Sequence, residues 1–284
     1  MRTIIETLEI ATKHFENAGV DSPRLTAEIL LADTLRCNRL DLYLRFDQPL
    51  SHSEREQFGA LYKRRLAREP LQYILGTVAF CGFNFTVTPS VLIPRPETEQ
   101  LTEEVMRLCA NLSRDSLRLL DIGTGSGCIG VTLAKRFPAA SVVGLDISAD
   151  AIAVARLNAE RLEARNIVFR IGDIFNDNDI TGQFDVIVSN PPYVSREMFA
   201  AVQPEISKYE PVNAVTDNGD GLTFYRRIAA CAPALLSDNG TLALEIGAGQ
   251  AGEICRILAM HGFSTSVHHD LAGIERILLA WRSS

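Results

Sequence analysis

Residues 117–127 read Leu-Arg-Leu-Leu-Asp-Ile-Gly-Thr-Gly-Ser-Gly. A short apolar run that ends in an acid and passes straight into alternating glycines predicts a buried strand and a tight loop, with a helix from Ile129 to Phe137. Glycine is needed there because the backbone must turn sharply and let a ligand approach closely. The pattern then repeats. Strands are predicted at 141–145, 167–171, 184–189, 241–246, 263–268 and 274–281, with helices at 149–162, about 220–236 and 250–261. Such alternation implies an α/β fold with a mostly parallel sheet covered on both faces. Ligands bind beyond the carboxyl ends of such strands. Gly123, Asp146, Asp173 and Asn190 all fall at those ends.

Upstream of residue 77 the pattern is helical. Ile4, Ile5, Leu8, Ala11, Phe15 and Ala18 recur at helical spacing until Gly19. Asp21-Ser22-Pro23 predicts a second helix start, with Leu25, Ile29 and Leu35 as its buried stripe. Ser51-His52-Ser53-Glu54 fits a capping box, and Phe58, Leu61, Tyr62 and Leu66 share one face behind it. The expected organisation is a small helical bundle over 1–76, a β-hairpin linker over 77–94 and the α/β domain over 95–284. Residues 71–94 carry no charge and are long enough to cross a bilayer, but Gln72, Asn84, two glycines and two prolines argue for paired strands instead.

Charge narrows the possible partners. The chain has 284 residues, with 28 Lys/Arg against 35 Asp/Glu and a net charge of −7. Residues 1–80 carry eleven of each sign, so the whole deficit falls on the α/β part. That part is poorly suited to hold a polyanion. Lys63, Arg64, Arg65 and Arg68 form one basic cluster, read either as a solvated helix face or as a contact for an acidic partner or RNA. The six cysteines (37, 81, 109, 128, 231 and 255) include no Cys-x-x-Cys pair and join no His cluster, so buried reduced thiols and no metal are expected. Arg2, Glu6 and Glu9 lie among the first residues without a long apolar core, so a secretion signal is not expected and a cytoplasmic location is.

The glycine loop also satisfies G-x-G-x-x-G at Gly125–Gly130, with Asp146 some twenty residues on, suiting an adenosine-type cofactor whose ribose hydroxyls an acid can accept. Asn190-Pro191-Pro192-Tyr193, after an apolar strand, discriminates between such cofactors. Its prolines stiffen the chain and remove two backbone donors. The Asn190 side-chain oxygen and the Pro191 carbonyl can together accept both hydrogens of one planar –NH2 group, with Tyr193 as a flat wall.

This pairing of Gly123-x-Gly125-x-Gly127 with Asn-Pro-Pro-Tyr resembles class I S-adenosylmethionine-dependent methyltransferases acting on planar –NH2 nitrogens. Leu92-Ile-Pro-Arg-Pro-Glu-Thr-Glu99, Asp220-Gly-Leu-Thr-Phe-Tyr225, Leu244-Glu-Ile-Gly247 and Asp270-Leu-Ala-Gly273 narrow the resemblance to the glutamine methyltransferases of peptide-chain release factors, the PrmC/HemK family, over essentially the whole chain. The resemblance implies a Rossmann-like domain with a seven-stranded sheet and S-adenosyl-L-methionine as cofactor. Gly123, Thr124, Gly125, Ser126 and Gly127 would wrap the cofactor's methionine portion and ribose, and Asp146 would hold the ribose. Asp173 and Ile174 would flank the adenine, Ile174 standing where the family often has an aromatic residue. Asn190 would touch cofactor and substrate, and Asn190, Pro191, Pro192 and Tyr193 would hold the substrate, with Asn190, Pro191 and Tyr193 as the catalytic group. The implied substrate is the glutamine of a Gly-Gly-Gln loop in class I release factors, methylated at N5; separately from the resemblance, a monomer is expected.

Three rival readings remain at this point. An adenine-N6 DNA methyltransferase needs a basic DNA track and a means of flipping the base, and the charge map opposes it. A nicotinamide-dependent dehydrogenase leaves Asn-Pro-Pro-Tyr without a role. A non-catalytic RNA-binding module would rest on the Lys63–Arg68 cluster alone.

Overall fold

The computed structural model describes residues 2–112 and 116–283 and divides into two units, Met1–Gly76 with Gln203–Tyr209, and Thr77–Val202 with Glu210–Ser284.

The first unit contains α1 (Ile4–Asn17), α2 (Pro23–Leu35), α3 (Arg39–Leu44), α4 (His52–Leu66) and α5 (Leu71–Leu75). Reciprocal capping boxes start α1 at Thr3 and Glu6 and α4 at Ser51 and Glu54. Ser22 stands at the α2 N-cap but has φ 47° and makes no side-chain cap, so the helix starts on Pro23, whose φ is already helical. The buried face of α2 is also not the expected one. Ala27, Leu30 and Leu31 are buried against Ile4, Leu8, Phe15 and Phe58, whereas Leu25 is exposed and Ile29 and Leu35 are half-buried.

The basic cluster is partly consumed inside this unit. Arg65 is only 5% exposed, and its guanidinium reaches Glu205 Oε1 at 2.8 Å, while Arg68 forks onto both Glu205 oxygens at 2.7 and 2.5 Å. Arg64 pairs with Glu69 at the surface, and it and Lys63 remain exposed. Burial pushes the Glu205 carboxyl up, and its hydrogen bonds to Arg68 and Arg65 more than reverse that, holding it below the ordinary range. The cluster is therefore divided: Lys63 and Arg64 lie on a solvated helix face, as one reading had it, while Arg65 and Arg68 are held in an internal ion-pair cluster rather than offered to RNA or an acidic partner.

The second unit opens with a hairpin, β1 (Thr77–Phe80) and β2 (Phe83–Thr86), shorter than the expected 77–94. Cys81 and Gly82 make its two-residue turn, both with positive φ, as a right-twisted hairpin requires. Residues 87–94 continue without regular structure, and of the charge-free stretch read as paired strands, 71–75 are α5, inside the span expected to be helical. Next come α6 (Pro96–Asn111), which the periodicity reading passed over, and then β3 (Arg118–Ile122), α7 (Cys128–Arg136), β4 (Ser141–Asp146), α8 (Ala149–Arg161), β5 (Ile167–Ile171) and β6 (Phe184–Ser189). Short helices α9 (Arg196–Phe199), α10 (Pro204–Tyr209) and α11 (Val212–Val215) lead to α12 (Thr223–Leu235), β7 (Leu236–Glu245), α13 (Ala251–Met260), β8 (Phe263–His269) and β9 (Glu275–Arg282). α10 lies within the segment that belongs to the first unit.

The sheet order is β5-β4-β3-β6-β7-β9-β8, parallel except for β9, which runs antiparallel to both neighbours. The chain moves outward from β3 to β5 and then returns to β6 on the other side of β3. The β3–β6 boundary is therefore the point where strand order reverses, and ligands bind in the crevice at such a point. Every residue of β6 is buried, as a central strand covered on both faces demands. Of the six cysteines, all free, Cys109 and Cys128 are buried and the other four half-buried. Among the described residues no helix is long and apolar enough to cross a membrane.

Candidate active site

A cavity of about 580 Å³ opens beyond the carboxyl ends of β3, β4, β5 and β6. It falls within the size range of small-molecule sites.

The loop after β3 is shaped from beneath. Asp121 points into the core, and its Oδ2 accepts from the Thr124 hydroxyl at 2.6 Å and the Gly130 N–H at 3.0 Å, pinning the loop to the start of α7. Burial raises this carboxyl to about 6. Gly123, Gly125 and Gly127 all have positive φ. Gly123 and Gly125 line the cavity. Thr124 and Ser126 are buried, and Gly127 backs onto α8, where a Cβ would stand 3.1 Å from that of Ala155. Thr124, Ser126 and Gly127 thus shape the loop and form no part of the cavity wall.

Asp146 ends β4 at the cavity. Its Oδ2 accepts the Gly125 N–H and its Oδ1 the Ser148 N–H, each at 2.9 Å. Burial raises its pKa. Each oxygen keeps a second lone pair for a diol. Asp173 also lines the cavity, and its Oδ1 accepts the Phe175 N–H. Ile174 is buried with one edge on the cavity. Two aromatic residues on the wall were missed from sequence: Phe175, 47% exposed, and Phe224, edge-to-face with it at 5.4 Å. Both lay beside or inside stretches already singled out, so their positions carried the signal. Leu92, Pro211 and Asn213 were missed as well. Glu210 braces that side, pairing with Arg95 and accepting the Ile93 N–H at 3.2 Å.

At the end of β6, Asn190, Pro191 and Pro192 face the cavity, and the Ser189 hydroxyl donates to Ile122 O at 2.8 Å across the β3–β6 boundary. The Asn190 Nδ2 donates to Thr98 Oγ1 at 3.0 Å. No hydrogen bond is made to Asn190 Oδ1 or Pro191 O among the described residues. Tyr193 is set back from the cavity lining, with its hydroxyl 3.3 Å from Glu245 Oε1. It is thus placed beside a buried carboxylate rather than as the expected cavity wall. The remaining motif stretches pack around this turn. A Cβ on Gly221 would stand 2.4 Å from Tyr193 O, and the Tyr225 hydroxyl donates to Glu245 O at 2.8 Å. The Gln250 amide donates to Tyr193 O at 3.0 Å and accepts from Gly247 N, also at 3.0 Å. Asp270 pairs with Arg276, whose guanidinium reaches Ile246 O at 3.3 Å.

The lining fits the cofactor that the motifs imply. Asp146, Asp150 and Asp173 face the cavity, with no Lys or Arg on its wall among the described residues. A cationic sulfonium with an ammonium group suits that field, and the pyrophosphate of a dinucleotide does not. The apolar wall of Ile147, Ile174, Phe175 and Phe224 suits a purine ring.

The PrmC N-terminal domain family matches residues 6–76, and a methyltransferase domain family matches residues 113–272. The chain is 44% identical over 277 residues to a release factor glutamine methyltransferase of Geobacter sulfurreducens, covering 97% of this chain and 95% of that protein. It is 40% identical over 284 residues to one of Chlorobaculum tepidum, at 96% and 95% coverage. A solved methyltransferase from Pyrococcus furiosus shares the fold, with a TM-score of 0.53 and 21% identity over 81% of this chain and 98% of that one. Identity of this extent through both matched regions makes the chain a member of the release factor glutamine methyltransferase family.

Proposed function

We propose that this enzyme methylates N5 of the glutamine in the Gly-Gly-Gln loop of class I peptide chain release factors, using S-adenosyl-L-methionine. The observation that carries this reading is the pair of unengaged acceptors, Asn190 Oδ1 and Pro191 O, on the cavity wall beside the glycine loop.

An amide nitrogen is a poor nucleophile because its lone pair is delocalised into the carbonyl. Asn190 Oδ1 and Pro191 O accept its two hydrogens and hold the amide plane fixed. Their dipoles also stabilise positive charge as it develops on nitrogen. Such positioning is worth up to roughly 7–11 kcal/mol. Bound S-adenosyl-L-methionine supplies a methyl group activated by its sulfonium. Asp146 holds the ribose, Gly123 and Gly125 permit close backbone approach, and Asp173, Ile174 and Phe175 receive the adenine. No strong base is needed, since an N-methylated amide cation is acidic enough to lose its proton to water.

The helical residues 1–76 dock the protein substrate, 77–94 connect, and 95–284 carry the chemistry. Leu40, Leu44 and Phe46 support the docking role, being large apolar side chains left 68%, 72% and 53% exposed on or beside α3. The enzyme acts as a cytoplasmic monomer and does not bind DNA. The test is incubation with labelled S-adenosyl-L-methionine and either a class I release factor or duplex DNA, with the modified residue located by mass spectrometry. One methyl on the Gly-Gly-Gln glutamine is expected. Label in DNA alone, or on another residue, overturns the reading.

A further inference from the structure

Asn190 can serve as an acceptor only with its oxygen toward the cavity. The two ends of a primary amide have nearly the same shape, so packing alone does not choose between them. The choice is made behind the residue. Thr98, on the first turn of α6 and 2% exposed, has one hydroxyl proton and gives it to Glu245 Oε2 at 2.6 Å. With that proton committed, Thr98 Oγ1 can only accept, and it accepts from Asn190 Nδ2 at 3.0 Å. The amide NH2 must then face Thr98 and the oxygen must face away.

We propose that Glu245, acting through the Thr98 hydroxyl, is a positioning device that holds the Asn190 amide with its oxygen toward the substrate, and that protonation of Glu245 reverses the chain. The proposal rests on reading Asn190 as the acceptor for a substrate –NH2. A protonated Glu245 donates to Thr98 Oγ1. The Thr98 proton then swings to Asn190 Oδ1, and the turned amide presents its own NH2 to the substrate NH2, donor against donor.

The surroundings of Glu245 suit such a switch. It is 1% exposed at the end of β7. Tyr193 faces it from the turn after β6, Glu97 from α6, Arg276 from β9 and Tyr225 from α12. Burial is the largest influence and pushes its carboxyl up to about 7, with Glu97 adding to the rise while Thr98, Tyr193 and Arg276 oppose it. The ionised and neutral forms are thus both accessible near neutral pH.

The test uses the full chain, a purified class I release factor and labelled S-adenosyl-L-methionine. Thr98→Val keeps the shape and removes the relay. Its kcat is expected to fall about 10–100-fold, somewhat less than deletion of a preorganised dipole costs. Affinity for S-adenosylhomocysteine should stay within about twofold of the parent. Thr98→Ser should restore kcat to within about threefold, which a purely packing role for the threonine methyl would not allow. In the parent enzyme kcat should rise tenfold per pH unit below about 7 and level off above it, and Glu245→Gln should abolish that rise. Parental kcat in Thr98→Val overturns the proposal, and so does a flat parental profile between pH 5.5 and 8.5, which needs no variant to fold. Asn190→Ala separates the two levels. If it retains turnover, the acceptor reading itself fails. If it is inactive while Thr98→Val is unaffected, only the relay fails.

Discussion

Asp146 Oδ2 accepts the Gly125 N–H at 2.9 Å, so the acid that ends β4 braces the loop that follows β3. Asp146→Ala removes the ribose acceptor and the brace together. Hydrogen bonds to a charged group are worth roughly 1.5–3 kcal/mol, so affinity for S-adenosylhomocysteine should drop about 10–150-fold by titration calorimetry. Asp146→Asn, which keeps one acceptor oxygen, should fall between that variant and the parent.

Gly127 fails as alanine for two reasons. Its φ is +80°, and the new Cβ would stand 3.1 Å from Ala155 Cβ and 3.3 Å from Val131 Cγ2. The left-handed backbone costs about 1–2 kcal/mol and overpacking typically 1–3. Gly127→Ala should therefore lower the denaturation midpoint clearly, whereas a change confined to cofactor affinity would place Gly127 on the cavity wall instead.

Glu205 neutralises two guanidiniums, one of them almost fully buried. Removing one partner of a buried pair costs about 3–5 kcal/mol because the other charge is stranded. Glu205→Ala should destabilise by that order in urea titration. Arg65→Met combined with Glu205→Ala should recover part of it.

The pH dependence of stability follows from Glu245. Its folded pKa is about 7, above the ordinary carboxylate value, so the folded state holds a proton that the unfolded chain releases. Its contribution therefore favours folding in acid and is lost as pH rises from about 4.5 to about 7, by on the order of 3 kcal/mol. Parent minus Glu245→Gln stability, from urea titrations at pH 5, 6 and 8, should decline across that window and level off above it.

If the helical unit docks the release factor, Leu44→Glu should raise KM for the folded protein several-fold. KM for S-adenosyl-L-methionine and for a short Gly-Gly-Gln peptide should stay unchanged. An equal effect on the peptide would remove α3 from the docking surface.

β3, β4 and β6, with the loop that closes on Asp146, were legible because each is a short, largely apolar run followed or closed by a chemically distinctive residue. Helix α6 was not, because its polar start, Pro96-Glu-Thr-Glu99, reads as motif rather than as periodicity. The α2 stripe was misread because helical spacing fits both Leu25-Ile29 and Ala27-Leu30-Leu31, and tertiary packing decides between them. The pairing of Arg65 and Arg68 was missed for a related reason. Their partner, Glu205, lies more than 130 residues away, and no local pattern links the two. Within the site, Asn190 announced itself, but Thr98 and Glu245 became meaningful only when folding brought α6, β6 and β7 together.

Glu205 also bears on how these enzymes can be recombined. A chimera that exchanges residues 1–76 between two relatives transplants Arg65 and Arg68 but leaves Gln203–Tyr209, part of the same unit, with the recipient. Unless that segment travels with the graft, the hybrid inherits arginines without a guaranteed counter-charge. The heritable module is therefore discontinuous, and a splice point chosen from the order of domains along the gene cuts through it.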